Sequence, residues 1–141
     1  MRPNKDFEPV RDVQVKLMFL SNLPRPIRLG LYSLATGVVL YLCLAPSDDV
    51  PGSSLIWDKA AHSLTWAILT AAGLVLAPRR PRAIALFSLS LGALIELAQA
   101  TMGFGRQGDI RDLIADSLGV GMVILAWWVV QRLRRPHMPK V

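Results

Sequence analysis

The chain has 141 residues, of which 52% are hydrophobic, and it carries 16 Lys and Arg against 10 Asp and Glu. This length fits one domain, and a mean hydropathy of +0.40 excludes an ordinary soluble domain of this size. The single cysteine, Cys43, excludes an internal disulfide and a metal-thiolate site.

Four apolar, charge-poor runs follow a basic N-terminal segment, and each is close to the roughly 20 residues of helix that cross a bilayer. The runs lack the alternating polar and apolar residues of membrane strands, so a β-barrel is not predicted. We predict an all-α membrane bundle of four helices. Residues 1–28 form an N-terminal tail, in which 10–20 is either an interfacial helix or a partly ordered chain. The four-helix domain is 29–130, with spans at about 29–46, 60–77, 83–102 and 113–130, and 131–141 is a basic tail.

The basic residues indicate orientation. Of the 16 basic residues, 13 lie before the first span, between the second and third, or after the fourth. Basic clusters mark cytoplasmic connections, so both termini are expected in the cytoplasm of a bacterium, with the chain as a multi-pass protein of the inner membrane. The positive charge is then explained by topology and contact with anionic lipid, and no nucleic-acid partner is predicted.

Polar residues recur on one side of three of these helices. They are Asp58 and His62 on the second span, Glu96 and Gln99 on the third, and Asp109, Asp112, Asp116 and Gly119 around the start of the fourth. Spacings of three, four and seven residues stack on one helix face. With a rise of about 1.5 Å per residue, all three faces lie within roughly 10 Å of the outer end of their helices. Because charges in lipid are costly, we expect these faces to turn toward one another.

At these residues the chain resembles the VanZ-like family of small membrane proteins, named after a teicoplanin-resistance protein. A D-K-x-x-H element is matched by Asp58, Lys59 and His62, and an E-x-x-Q element by Glu96 and Gln99. The final element, "GRQGDIRDLIADSLG", supplies Arg106, Asp109, Asp112 and Gly119. Two positions depart from the pattern: Asp116 replaces an asparagine, and Trp66 replaces the commoner tyrosine or phenylalanine. The resemblance covers about residues 55–125 and implies a role in the cell envelope, for some members in glycopeptide resistance.

The polar residues admit a structural interpretation and three functional ones. In the structural interpretation, ion pairs and hydrogen bonds fix the order of the helices, with Asp58 or Asp109 capping a helix. Against it, small-residue contacts would pack the helices more simply, and they are expected at Ser33/Gly37, Ser88/Gly92 and Ser117/Gly121. In the first functional one, Lys59, Arg106 and Arg111 bind phosphate or carboxylate, and the acids accept hydrogen bonds from sugar or peptide groups. In the second, His62 is a general acid or base polarised by Asp58 or Glu96. The third is a site for a hard or borderline cation, formed by His62, Glu96 and Asp112 or Asp116.

We predict that the polar residues form an outward-facing pocket. The pocket binds a lipid-linked or peptidoglycan-type envelope ligand, or the protein contributes to glycopeptide resistance. Its residues are Asp58, Lys59, His62, Glu96, Gln99, Arg106, Asp109, Asp112 and Asp116. Whether the protein is an enzyme stays open, with His62, Glu96 and Asp112 as catalytic candidates. A scaffold or accessory subunit with a membrane-protein partner is the other alternative. No cofactor or metal is expected, because one imidazole without a second His or Cys makes a poor zinc site. Trp57, Trp127 and Trp128 are expected to anchor helix ends at the membrane interfaces.

Overall fold

The computed structural model describes residues 20–45, 58–102 and 108–134. The regular elements of these residues are helices: α1 (Arg25–Leu44), α2 (Asp58–Leu76), α3 (Pro81–Met102) and α4 (Ile110–Leu133). All four are long and apolar enough to cross a membrane. The predicted all-α membrane bundle is therefore confirmed. Residues 10–19, where an interfacial helix was considered, lie outside the described residues, as does Trp57.

Each helix begins two to four residues before the predicted span. The spans are predicted from the apolar runs, which do not include the polar first turn of each helix. In α1 that turn contains Pro26, and α3 begins with Pro81. Proline is favourable there because the first N–H groups of a helix have no partner within the helix. Before α4, the Asp109 carboxylate accepts a hydrogen bond from the Arg111 N–H at 2.9 Å. The expectation that Asp109 caps a helix is therefore confirmed, and the cap places the acidic residues of α4 in its first two turns.

Helices α2 and α4 form the most extensive contact, α3 packs against both, and α1 packs mainly against α2. The apolar core between them centres on Trp66, Leu69, Ile95 and Val120, with Val39 and Cys43 of α1 at its edge. Large apolar side chains cover the outside of the bundle, including Leu34, Ile68, Leu94 and Leu125. An exposed apolar surface of this kind is the normal surface of a helix bundle in lipid.

One glycine sets the distance between α2 and α4. A Cβ atom on Gly119 would collide with the Ser63 carbonyl oxygen, so only glycine lets these two backbones approach so closely. The small-residue contact expected at Ser117/Gly121 is not made within the part of the chain that the structure describes: Ser117 is exposed, and a Cβ on Gly121 would meet nothing within 4 Å. Gly121 is two residues, or about 200°, around the helix from Gly119, so it faces away from α2.

The other two small-residue pairs differ from each other. Ser33 is exposed, and a Cβ on Gly37 would also meet nothing within 4 Å, so this expected contact is wrong within the described chain. Ser88 is fully buried in α3, and its hydroxyl accepts a hydrogen bond from Thr70 at 3.3 Å. Small residues therefore join α3 to α2, whereas Ser33 and Gly37 of α1 line an open groove beside α2 and α3.

The end of the bundle away from Asp58 carries arginines and tryptophans. The Arg28 guanidinium donates a hydrogen bond to the Leu76 carbonyl at 2.8 Å, which ties the start of α1 to the end of α2. The Arg132 guanidinium lies 4.4 Å from the centre of the Trp128 ring. Charge and aromatic rings thus meet at this end, as they do in membrane interfaces.

Candidate functional site

Lys59, in the first turn of α2, is the hub of a polar cluster at the other end of the bundle. Its ammonium donates to Asp58 at 3.2 Å, to Asp109 at 3.1 Å and to Asp112. Asp109 and Asp112 lie at the start of α4, so the lysine joins the ends of two helices. One positive charge is therefore shared by three carboxylates, and little of it remains for an anionic ligand.

His62 lies one turn deeper, between two carboxylates of α4. Its Nδ1 is 3.0 Å from Asp116 Oδ1, and its Nε2 is 3.9 Å from Asp112 Oδ2. The side chains of His62 and Asp116 are 10% and 3% exposed. The hydrogen-bonding partner of the imidazole is thus Asp116, whereas the sequence suggested Asp58 or Glu96. Asp116 is the partner because it lies, with Asp112, on the face of α4 that packs on α2.

Glu96 enters the cluster from α3 and is buried, with 8% of its surface exposed. Its Oε2 accepts a hydrogen bond from the backbone N–H of Asp109 at 2.8 Å. Its Oε1 is buried and has no hydrogen-bond partner among the described residues. A buried carboxylate oxygen without a partner is costly, so this atom requires an explanation.

Gln99 is also buried, but its hydrogen bond runs elsewhere. Its amide donates to the Cys43 carbonyl at the end of α1, at 2.8 Å. Three residues advance a helix by about 300°, so Gln99 points about 60° away from Glu96. Its observed bond is structural: it attaches α1 to α3 beside the cluster.

Trp66 forms the floor beneath His62 and is 1% exposed. A Cβ on Gly92 of α3 would lie 2.8 Å from the Trp66 ring nitrogen and 3.2 Å from Asp116 Oδ2. The bare backbone of Gly92 therefore admits both the indole and the carboxylate. Sequence reasoning did not assign Gly92 to the site, and its only signal was the small-residue spacing from Ser88.

The described cluster is strongly acidic. Five carboxylates, those of Asp58, Glu96, Asp109, Asp112 and Asp116, lie around the ammonium of Lys59 and the imidazole of His62. Arg106 was expected to help balance them but lies outside the described residues, and Arg111 is exposed. The backbone N–H of Arg111, followed by the Lys59 ammonium, holds the pKa of Asp109 below its usual range. Charge compensation among the described residues is thus concentrated at Lys59.

Seven of the nine predicted site residues therefore meet at one end of the bundle. The exceptions are Gln99, which bonds to α1, and Arg106, whose position is not described. Two sets of side chains have potential ligand atoms within 4.8 Å of one another: Asp58, His62 and Asp112, and His62, Glu96 and Asp116. The cluster can accept hydrogen bonds, hold a cation, or use the imidazole for proton transfer.

Residues 17–131 match the sequence profile of the family described as VanZ/LLP1. The match contains α1, α2 and α3, α4 as far as residue 131, and every residue of the cluster. No curated protein and no solved structure matches the chain.

Proposed function

Because the chain belongs to the VanZ/LLP1 family, we propose that this multi-pass membrane protein binds a cell-envelope ligand in its polar cluster. The ligand is a lipid-linked or peptidoglycan-type molecule, and binding contributes to resistance against glycopeptides of the teicoplanin type. The cluster faces the outside of the bacterial cytoplasmic membrane, with both termini in the cytoplasm, as the basic residues indicate.

The observation that carries this proposal is the convergence of five carboxylates, a lysine and a histidine from three helices. A charged side chain in a membrane helix is costly, by about 2.5–3.5 kcal/mol at the centre of the helix and by less toward the end where this cluster lies, whereas a hydrogen bond between membrane helices contributes about 0.6 kcal/mol. Close packing at Gly119 already joins α2 and α4 without charges. The cluster therefore costs more than helix association requires, which favours a role in binding.

The exposure of the cluster suggests how a ligand approaches it. The side chains of Asp58 and Asp109 are 66% and 37% exposed, whereas those of Asp112 and Asp116 are 10% and 3% exposed. The outer acids can accept hydrogen bonds from sugar hydroxyls or peptide N–H groups. Since Lys59 is engaged by three carboxylates, a phosphate or carboxylate of the ligand would be bound mainly by Arg106 and Arg111.

The test is binding of a fluorescent lipid-linked peptidoglycan precursor to the protein in nanodiscs. We expect His62→Gln and Asp112→Asn to weaken binding, and to lower teicoplanin resistance in cells that depend on this protein. Arg132→Gln, at the opposite end of the bundle, is the matched control and should leave both unchanged. Equal binding by wild type and both cluster variants, with all proteins folded, would contradict the proposal.

A catalytic role is the second candidate, favoured by the contact between His62 and Asp116 at 3.0 Å. An imidazole held by a carboxylate is the usual arrangement of a general acid or base. Asp112 and Glu96 would orient the imidazole or the substrate. An enzyme would release product from a radiolabelled lipid-linked precursor, and His62→Gln would abolish that release. If precursor binds and no product forms, this second candidate fails while the binding proposal stands.

A further inference from the structure

We propose that His62, Glu96 and Asp116 bind one divalent metal ion. The three residues come from α2, α3 and α4, and each offers a ligand atom within 4.8 Å of the others. Glu96 and Asp116 are buried, and the side chain of His62 is 10% exposed. This inference goes beyond the proposed function, since the ion binds whether or not an envelope ligand is present.

The first argument is the unpartnered oxygen of Glu96. Oε2 has the Asp109 N–H, but the buried Oε1 has no hydrogen-bond donor among the described residues. The same carboxylate belongs to the set of potential ligands with His62 and Asp116. No side chain among the described residues donates a hydrogen bond to Oε1. A metal ion between the three residues would supply the missing partner.

The second argument is charge. Lys59 forms ion pairs with Asp58, Asp109 and Asp112. Among the described residues, neither Glu96 nor Asp116 forms an ion pair with a lysine or an arginine, and the only ionisable partner of Asp116 is His62. Two buried carboxylates beside one imidazole carry an excess of negative charge, and a divalent cation compensates it.

The third argument is distance. For ligands about 2.1 to 2.4 Å from an octahedral ion, adjacent ligand atoms lie about 3.0 to 3.4 Å apart and opposite ones about 4.2 to 4.8 Å apart. The 3.0 Å between His62 Nδ1 and Asp116 Oδ1 fits two adjacent ligands, and no two potential ligand atoms of the set lie more than 4.8 Å apart. Asp112 lies near the other ring nitrogen of His62, at 3.9 Å. This distance is longer than a hydrogen bond, so Asp112 acts on the imidazole through its charge and not as a hydrogen-bond acceptor.

The alternative set of Asp58, His62 and Asp112 is less suitable. Lys59 already places its ammonium on both of these aspartates, and an ion there would meet that positive charge at close range. Among residues 20–45, 58–102 and 108–134, no lysine or arginine forms an ion pair with Glu96 or Asp116. The site is therefore assigned to the deeper of the two sets.

The ligand atoms indicate which ion fits. Two carboxylates and one imidazole form an oxygen-rich site, which suits Mn²⁺ or Mg²⁺ better than Zn²⁺ with its preference for nitrogen and sulfur. The sequence alone led to an expectation of no metal, because it contains one imidazole in the membrane spans and no thiolate partner. The packing of three helices brings Glu96 and Asp116 to that imidazole, which is one of the two cation sets considered from the sequence, His62 with Glu96 and Asp112 or Asp116.

The experiment uses Mn²⁺ and the purified full chain in detergent. Free Mn²⁺ is followed by electron paramagnetic resonance during titration, and we expect one bound ion per chain. Glu96→Gln and Asp116→Asn should each weaken binding by about tenfold or more, the scale of losses seen when metal sites are altered. Asp109→Asn is the matched control: it removes one negative charge from the same cluster, retains a good helix cap, and should bind within about threefold of wild type.

A second measurement needs no variant of the site. Pulsed electron paramagnetic resonance of wild-type protein with one equivalent of Mn²⁺ should show the ¹⁴N coupling of an imidazole ligand. His137→Gln, which leaves His62 as the sole histidine, should retain that coupling. The proposal is overturned if wild type binds no stoichiometric Mn²⁺, if the coupling is absent, or if Glu96→Gln binds as tightly as wild type. If wild type binds the lipid-linked precursor but no stoichiometric Mn²⁺, this inference is overturned and the proposed function stands.

Discussion

Replacing Gly119 by alanine tests whether close approach of α2 and α4 holds the bundle together. The new Cβ would collide with the Ser63 carbonyl oxygen, and it would also lie 3.0 Å from the Ser63 carbonyl carbon and 3.1 Å from the Ala67 nitrogen. All three atoms belong to the α2 backbone, so no side chain can turn aside and the helices must separate. Overpacking of this kind costs about 1–3 kcal/mol.

Gly121→Ala is the matched control because it makes the same chemical change two residues later on the same helix. Its Cβ would meet nothing within 4 Å, so packing is unaffected. Alanine also favours a helix interior over glycine by roughly 0.5–1 kcal/mol, so this variant should be slightly more stable than wild type.

The assay is equilibrium unfolding in mixed detergent micelles, followed by circular dichroism. We expect the free energy of unfolding to fall for Gly119→Ala and to stay equal or rise for Gly121→Ala. The two variants should differ by about 1–3 kcal/mol, because the gain in helix propensity is common to both. Separation of α2 from α4 would also lengthen the contact between His62 and Asp116, so Gly119→Ala should bind Mn²⁺ more weakly. Equal stability of the two alanine variants would refute the assigned packing of α4 on α2.

Three further predictions concern the polar contacts. Lys59→Met should lower the free energy of unfolding by roughly 2 kcal/mol in denaturant titrations, since three carboxylates lose their cation, while Lys59→Arg should lose less. Gln99→Leu should lower the free energy of unfolding by about 0.6 kcal/mol and speed backbone amide hydrogen exchange at the end of α1, because it removes the hydrogen bond to the Cys43 carbonyl. Unchanged exchange would argue against that hydrogen bond. The pKa of Asp109 is lower in the folded than in the unfolded protein, so its ionised carboxylate stabilises the fold. This stabilisation is complete above the unfolded-state pKa of about 3.9 and is lost as the pH falls through the lower folded-state pKa. Thermal unfolding below about pH 4 should therefore depend less on pH in Asp109→Asn than in wild type.

The sequence by itself determined that this chain is a four-helix membrane bundle and that its charged residues lie near one end of three helices. Both conclusions depend on local quantities: the length of an apolar run, and the fixed rise and rotation of a helix per residue. The same quantities predicted that the polar face of α2 turns toward that of α4, where Lys59 meets Asp109 and His62 meets Asp116. Of the two residues expected as a helix cap, Asp58 and Asp109, the structure shows Asp109 in that role.

Only the tertiary structure decided which side chains are partners. A step of one residue turns a helix face by about 100°, and the rotation of each helix about its own axis is set by packing along its whole length. For this reason His62 meets Asp116, and Gln99 turns to the Cys43 carbonyl. The same packing makes Gly119, and not Gly121, the point of contact, because the face of α4 that carries the aspartates must press against α2 for their charges to meet Lys59 and His62.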